Sequence, residues 1–195
     1  MKKLRLLIFF LPLAIYAQEE LSFYSKGKWY LGGNSRFALE QHTEASDNFS
    51  DTFSLQSMEL DAGYFVGKNM SVGTMLIISS LLSDKGSSFF AGFYTKLHFP
   101  VRQVYLFVQP GFMIGKSNIY FIDFFSPVTV VSPTWKGGTL NAGTVIPLNR
   151  SVAVEIAMAY RILFTRMNIK NTEYDYSIET VGAQVGFSFV FGKKS

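Results

Sequence analysis

Ionisable side chains interrupt several strongly apolar segments of this 195-residue chain. Buried charges of this kind can pair with one another, bind ions or carry protons. An isolated charge is costly in an apolar interior, so we expect opposite charges to pair across neighbouring segments. The residues are Arg36, Glu59, Asp61, Lys96, His98, Glu155 and Arg161. They predict either a polar network that holds the structure together or a path for protons, ions or small solutes.

Catalysis and metal binding have little support in the sequence. The chain contains no cysteine, and its histidines, His42 and His98, are far apart. A barrel acyltransferase or lipase needs a serine or an acid placed beside a histidine, and no such arrangement stands out around His98. Two distant histidines without cysteine offer no zinc-ligand pattern. We therefore expect no catalytic residue, no metal and no cofactor.

A second candidate site lies in the apolar stretch between Lys116 and Pro133. Its aromatic residues are Tyr120, Phe121, Phe124 and Phe125. Such a segment is too apolar to stand alone in water. We expect it either to extend the neighbouring strands and pack on adjacent loops, or to form a surface for a lipid, a small apolar solute or a partner protein.

The elements that carry these residues show hydrophobicity with a period of two, which indicates β-strands. From Val152 to Ile162, large apolar residues alternate with Ala, Glu155 and Arg161. The segments are long enough for tilted membrane-spanning strands, which need about 9–11 residues. Counting clear and less clear segments together predicts an all-β fold, an eight-stranded antiparallel up-and-down transmembrane β-barrel.

The composition of the two faces predicts which one meets lipid. One face carries Phe, Tyr, Leu, Ile and Val, and the other mostly Gly, Ala, Ser and Thr with a few charges. The narrow interior of an eight-stranded barrel has no room for so many bulky side chains, so we expect the bulky face outside and the small face inside. A soluble lipocalin-like binder would require the opposite arrangement. Residues expected at the membrane interfaces are Trp29, Tyr64, Tyr105, Trp135 and Tyr160.

The connections between segments divide into short and long ones, which is typical of periplasmic turns and outer loops. The predicted short turns are 67–69, 100–103 and 147–151. The predicted long loops are 41–52, 83–88, 116–133 and 165–177.

The N-terminus reads as an export signal. Residues 1–17 combine a basic start, a short apolar stretch and a small residue, Ala17, and they predict a signal peptide followed by a barrel domain over 18–195. Removal of the signal takes away Lys2, Lys3 and Arg5, which supply most of the formal net charge of +4. The mature chain then lacks a basic tract, and nucleic-acid binding loses its electrostatic basis.

The segment Gly63–Gly73 and the final strand that ends at Phe191 carry a resemblance to a known family. They resemble the small outer-membrane β-barrel proteins of Bacteroidetes-type bacteria, similar to OmpX- and OmpW-like eight-stranded barrels. The resemblance implies that the barrel assembly machinery recognises the last strand through Phe191, although Gly192–Ser195 follow it.

These observations predict a non-enzymatic protein of the Gram-negative outer membrane, in contact with outer-membrane lipid. Its long outer loops would serve a structural or surface-interaction role. The alternatives are a narrow porin-like channel for small or hydrophobic solutes and, with less support, a barrel enzyme that modifies lipid.

Overall fold

The computed structural model describes residues 23–44, 50–81, 87–117, 119–121, 129–169 and 172–192. The predicted signal peptide, residues 1–17, lies outside the described residues, as do Phe124 and Phe125. The strands are β1 (Trp29–Glu44), β2 (Ser50–Gly67), β3 (Met70–Leu81), β4 (Ser87–Val101), β5 (Val104–Ser117), β6 (Ile119–Phe121), β7 (Thr129–Val131), β8 (Thr134–Pro147), β9 (Val152–Ile169) and β10 (Thr172–Phe191).

Eight of these strands close into a barrel in the order β1-β10-β9-β8-β5-β4-β3-β2. Every neighbouring pair is antiparallel. The first and last strands close the ladder, from Trp29 opposite Phe191 to Glu44 opposite Tyr176. Strands β6 and β7 form a separate two-stranded sheet. The predicted eight-stranded antiparallel barrel is confirmed. Within the described residues, no helix is long and apolar enough to cross a membrane.

Side chains alternate between the outside and the interior along each strand, because successive Cβ atoms point to opposite faces. On β4, Phe93 is 70% exposed and its neighbour Tyr94 is 3% exposed. On β2, Met58 and Leu60 are exposed, whereas Glu59 and Asp61 are buried. The predicted orientation, with the bulky apolar stripe outside and the sparse charges inside, is therefore the one that the barrel adopts.

The interior contains larger side chains than the sequence predicts. A turn-side cluster consists of Phe23, Tyr24, Tyr30, Phe65, Phe107, Val145, Ala153, Ala157 and Val190. A loop-side cluster consists of Met75, Ile77, Phe90, Tyr94, Met113, Trp135, Leu163 and Ile178. Trp135 is fully buried in this cluster, so the prediction that it lies at the membrane interface is wrong.

Glycines on adjacent strands explain how rings fit into so narrow a space. A Cβ atom built on Gly63 would come within 2.6 Å of the Tyr94 hydroxyl, and one on Gly73 within 2.7 Å of the same ring. The volume that these glycines leave open is occupied by the tyrosine of β4. Large and small residues therefore compensate between strands, which a count along single strands does not detect.

The short turns lie where the sequence predicts them. Lys68 and Asn69 join β2 to β3, and Arg102 and Gln103 join β4 to β5. Asn69 and Arg102 have positive φ angles of 64° and 55°, a conformation that tight hairpin turns need. In the turn between β8 and β9, the side-chain oxygen of Asn149 accepts hydrogen bonds from the backbone N–H groups of Ser151 and Val152, at 2.8 and 2.9 Å.

Two of the predicted long loops are largely strand. Residues 165–177 were expected as a loop, but β9 continues to Ile169 and β10 begins at Thr172. Similarly, β1 and β2 extend to Glu44 and Ser50. The hydrophobic alternation ends where the strands leave the apolar belt, whereas backbone pairing continues because the N–H and C=O groups still need partners.

The absence of cysteine from the sequence allows a direct test of the two faces. We expect a lipid-soluble thiol reagent to label Phe112→Cys in the folded barrel and to leave Met113→Cys unmodified, because Phe112 is exposed and Met113 is buried. Labelling before and after unfolding, followed by mass measurement, provides the comparison. Equal labelling of the two folded variants would contradict the orientation described above.

Candidate functional site

A triangle of polar groups spans the turn-side half of the interior. Lys96 Nζ donates hydrogen bonds to Glu155 Oε2 at 2.7 Å and to the Tyr30 hydroxyl at 2.8 Å. The Tyr30 hydroxyl in turn donates to Glu155 Oε1 at 2.9 Å. Lys96 and Glu155 are 0% and 2% exposed. The ammonium also lies 4.3 Å from the ring centroid of Phe107, a cation–π distance that adds to its stabilisation.

A second group of polar contacts centres on Glu59. Arg161 Nη2 donates to Glu59 Oε2 at 2.8 Å, and Asn141 Nδ2 donates to Glu59 Oε1 at 3.3 Å. The Thr139 hydroxyl donates to Asn141 Oδ1 at 3.3 Å. Both carboxylate oxygens of Glu59 are thereby satisfied, which lowers the cost of burying the charge.

These contacts cross the barrel rather than follow its wall. In the closed order, β8 and β2 lie on opposite sides, so the bond from Asn141 to Glu59 spans the interior. Strands β4 and β9 are separated by β5 and β8, so the pair of Lys96 and Glu155 also bridges distant strands. Together the bonds hold opposite walls at a set distance and fill the interior at these levels.

Asp61 lies near the first triangle but differs from the other acids. It is 2% exposed, and neither of its carboxylate oxygens makes a hydrogen bond. Its Oδ1 and the Tyr30 hydroxyl both lie above Gly32, where an added Cβ atom would collide with each of them. Asp61 is thus a buried acid packed beside the Tyr30 hydroxyl of the first triangle.

The His98 side chain packs among aromatic rings and is not part of the two groups of polar contacts described above. Its ring stacks on Tyr24 with a centroid distance of 3.8 Å, and it lies 5.7 Å from Phe65. Both ring nitrogens are buried and make no hydrogen bond. No serine or acid orients the imidazole for catalysis among these contacts. Within the described residues, no group of three or more His, Cys, Asp or Glu side chains is arranged to hold a metal ion.

Tyr24 is one of the interior residues that sequence reasoning missed, along with Tyr30 and Asn141 of the polar contacts. It precedes β1, and together with Phe23 it enters the turn-side end of the barrel and closes it. The backbone carbonyl of Tyr24 accepts a hydrogen bond from Asn69 N at 3.3 Å. The aromatic pair between the predicted signal and the first strand was the available signal, but nothing in its spacing indicated a position inside the barrel.

The remaining predicted site residues are described only in part. Arg36 lies on β1 opposite Gln184 and Ser57, and its side chain is outside the description. Tyr120 and Phe121 belong to β6, where they face Val130 and Thr129 across the small sheet. The predicted loop surface is therefore built at least partly on a short hairpin.

The rim opposite the short turns is uneven. Pairing of β9 with β10 continues to Ile169 opposite Thr172, whereas pairing of β8 with β9 stops at Lys136 opposite Phe164. On the other side, β1 and β2 remain paired up to Thr43 and Ser50, and the described pairing of β3 with β2 begins at Leu55 opposite Leu81. Among the described residues, the hairpin of β9 and β10 thus projects beyond the paired part of β8.

The projecting hairpin is polar at its surface. Arg166 Nε donates to Asp175 Oδ1 at 2.7 Å across β9 and β10, and both side chains are exposed. Exposed ion pairs of this kind contribute little to stability. Because both charged side chains are exposed, we place this ion pair in water, above the apolar belt of the barrel.

The fold is that of the small outer-membrane β-barrels. Neisserial surface protein A matches with a TM-score of 0.55 and 12% identity, over 83% of this chain and 98% of that chain. OprG from Pseudomonas aeruginosa matches with a TM-score of 0.51 and 10% identity, over 89% of this chain and 100% of that chain. The outer membrane protein AlkL matches with a TM-score of 0.52 and 14% identity, over 88% of this chain and 93% of that chain.

Similarity at these identities concerns the fold alone. No protein-family model and no curated protein matches the chain. The resemblance to eight-stranded outer-membrane barrels is confirmed at the level of architecture, and an origin in Bacteroidetes-type bacteria stays a prediction.

Breaking the first triangle tests the energetic role of the crossing bonds. We expect Lys96→Met to lower the free energy of unfolding by about 3–5 kcal/mol, because it leaves the buried Glu155 carboxylate without its counter-charge. As a control, Asp175→Asn removes the exposed partner of Arg166 and should leave urea unfolding in detergent unchanged. Similar losses of unfolding free energy in the two variants would contradict the conclusion that the Lys96 contacts matter because they are buried.

The neighbouring glycines Gly32 and Gly33 differ in the space around them, so they provide a matched pair of variants. We expect Gly32→Ala to destabilise the barrel by about 1–3 kcal/mol through overpacking, because its Cβ would collide with Asp61 and Tyr30. At Gly33, the added Cβ meets only Leu60 Cδ2 at 3.5 Å, so Gly33→Ala should be neutral or slightly stabilising. Urea unfolding curves of the two variants provide the measurement, and equal midpoints would rule out the packing described here.

Proposed function

We propose that this protein resides in the outer membrane of a Gram-negative bacterium and acts there without catalysis, as a structural or surface-interaction protein. The observation that carries the proposal is the continuous set of exposed large apolar side chains around the barrel. Representative members are Met58, Phe93, Phe112, Met158 and Phe187. Soluble proteins seldom expose apolar patches larger than a few hundred Å². Lipid acyl chains are the solvent that suits such a surface.

Export and assembly follow from the two ends of the chain. In this proposal, residues 1–17 direct export and are removed, and the short turns face the periplasm. The barrel assembly machinery recognises the last strand, in which Phe191 is exposed on the lipid side. Gly192, with a φ of 140°, ends that strand directly after Phe191.

Within the described residues, the projecting hairpin of β9 and β10 is suited to contact other molecules. At about 3.3 Å per residue, the roughly five residues by which β9 outruns its pairing with β8 correspond to an extension of about 17 Å. Loops and strand ends that a rigid barrel holds above a membrane are common positions for binding functions.

The channel and enzyme alternatives are less well supported. Hydrogen bonds cross the interior between Asn141 and Glu59 and between Lys96 and Glu155, and aromatic side chains fill both ends. Continuous passage of solutes would require these contacts to open. His98 packs among rings rather than beside a nucleophile, which disfavours a lipid-modifying enzyme.

Epitope insertion tests the location and orientation. A tag placed between Ile169 and Thr172 should bind antibody on intact cells, whereas the same tag placed between Asn149 and Arg150 should bind only after the outer membrane is permeabilised. Fractionation should recover both variants in the outer membrane. Recovery in a soluble fraction, or equal labelling at both positions on intact cells, would overturn the proposal.

A shortened hairpin tests the surface role. A variant in which residues 166–175 are replaced by a two-residue turn should keep its heat-modifiable migration in detergent gels, since the barrel ladder below remains paired. Intact cells that carry it should adhere less to a protein-coated surface than cells with the full hairpin. Equal adhesion would favour a purely structural role, and discrete openings of the wild-type protein in planar bilayers would favour the channel.

A further inference from the structure

The rim formed by the short turns carries basic side chains in each of its described connections. Lys68 lies between β2 and β3, Arg102 between β4 and β5, and Arg150 between β8 and β9. Lys26 and Lys28 lie in the segment that leads into β1. These side chains are exposed, except that of Lys28, which is half-buried. We call this set the basic rim.

The described residues at this end of the barrel include no Asp or Glu. They are residues 23–30, 62–72, 97–106, 144–153 and 188–192. The next acids along the strands, Asp61 and Glu155, are buried inside the barrel. Four charged residues that lie outside the described part have formal charges that cancel, namely Glu19, Glu20, Lys193 and Lys194. The opposite rim differs, since its exposed side chains include charges of both signs, on Lys116, Lys136, Arg166, Asp175 and Glu179.

The basic rim lies immediately beyond the apolar belt. Exposed Val66 is two residues before Lys68, and exposed Val101 directly precedes Arg102. At about 3.3 Å per residue, each basic residue therefore begins within about 7 Å of the apolar surface. Lysine and arginine can lay their aliphatic stems along such a surface while the charged group reaches the polar layer above it.

An exposed aromatic pair lies at the same level. Trp29 and Tyr64 pack edge to face on the outer wall, with 5.2 Å between ring centroids, and Trp29 directly follows Lys28. Exposed Trp and Tyr side chains are typical of the boundary between acyl chains and lipid headgroups. The basic rim is therefore at the level of the headgroups when the apolar belt is in a bilayer.

The basic residues are distributed around the rim instead of converging on one point. In the closed strand order, the turns that carry Lys68, Arg102 and Arg150 follow one another at intervals of two strands. Since neighbouring strands are about 4.8 Å apart, successive turns are separated by about 10 Å. A small soluble anion cannot contact several of these side chains at once, whereas a layer of headgroups meets all of them.

We propose that the basic rim binds anionic phospholipid headgroups, of the phosphatidylglycerol type, in the leaflet that the short turns face. The inference rests on the proposed function, because it requires the barrel to span a bilayer. The headgroup phosphate accepts charge-assisted hydrogen bonds from Lys and Arg. A lipid beside one basic residue should be favoured about fivefold over a zwitterionic lipid.

Lipid selectivity at the protein surface tests the proposal. The mature chain is inserted into phosphatidylcholine vesicles that contain a minor fraction of phosphatidylglycerol, and spin-labelled forms of each lipid report their relative association with the barrel. The wild type should prefer phosphatidylglycerol. Lys68→Gln combined with Arg102→Asn should lower the preference by about twofold. Asn suits position 102 because Arg102 has a φ of 55°.

The matched control removes two charges from the opposite rim. Lys116→Gln combined with Lys136→Gln should keep the selectivity of the wild type, because exposed Asp175 and Glu179 lie at that end. A measurement on the wild type alone needs no variant to fold. Its preference should weaken in 1 M sodium chloride, where the screening length falls to about 3 Å.

Four results would overturn the proposal. They are an unchanged preference in the turn variant, an equal loss in the two variants, a wild-type preference that salt does not weaken, and displacement of the lipid by inorganic phosphate at an ionic strength where chloride has no effect. The last result would assign a discrete site for a soluble anion. Flotation with the vesicles separates these outcomes from failure of the proposed function, since a protein that does not float is not inserted, whereas one that floats without selectivity contradicts the lipid site alone.

Discussion

The closure of β1 against β10 is the constraint on which the rest of this structure depends. Because the backbone ladder runs from Trp29 opposite Phe191 around all eight strands, the barrel wall has no free edge at the level of the apolar belt. A closed wall separates the surroundings into an outside and an interior, and the pleat then assigns each side chain to one of them. A single residue of slippage would exchange the two sets completely.

The interior makes that register specific. Ion pairs between Lys96 and Glu155 and between Arg161 and Glu59 join strands that are not neighbours, so each pair forms only when several ladders are aligned together. Buried pairs of this kind add little net stability compared with apolar packing, but a misaligned barrel would leave their charges without partners. Asp61 lies beside these pairs, and its close approach to Gly32 shows how tightly the interior is filled at this level.

Different interactions hold the strands together at the two rims of the barrel. At the turn side, Tyr24 and His98 pack against each other and close the barrel with aromatic surface. At the opposite side, β9 and β10 continue past the point where β8 stops, and polar side chains such as Arg166 replace the apolar stripe. Outside the apolar belt, hydrophobic burial no longer selects the residues, and only backbone pairing keeps the strands together.

The sequence by itself determined the number of barrel strands, their antiparallel order, the short turns and the direction in which Phe93 and Tyr94 point. These depend on a period of two in hydrophobicity and on local turn chemistry, which a linear reading detects. Only the tertiary structure decided that Trp135 and Tyr24 lie inside, that Lys96 binds Glu155, and that Glu59 binds Arg161 and Asn141. Those outcomes depend on which strands face each other across the barrel and on the volume that glycines leave on neighbouring strands, and distances across a closed ring are not encoded in the spacing of residues along the chain.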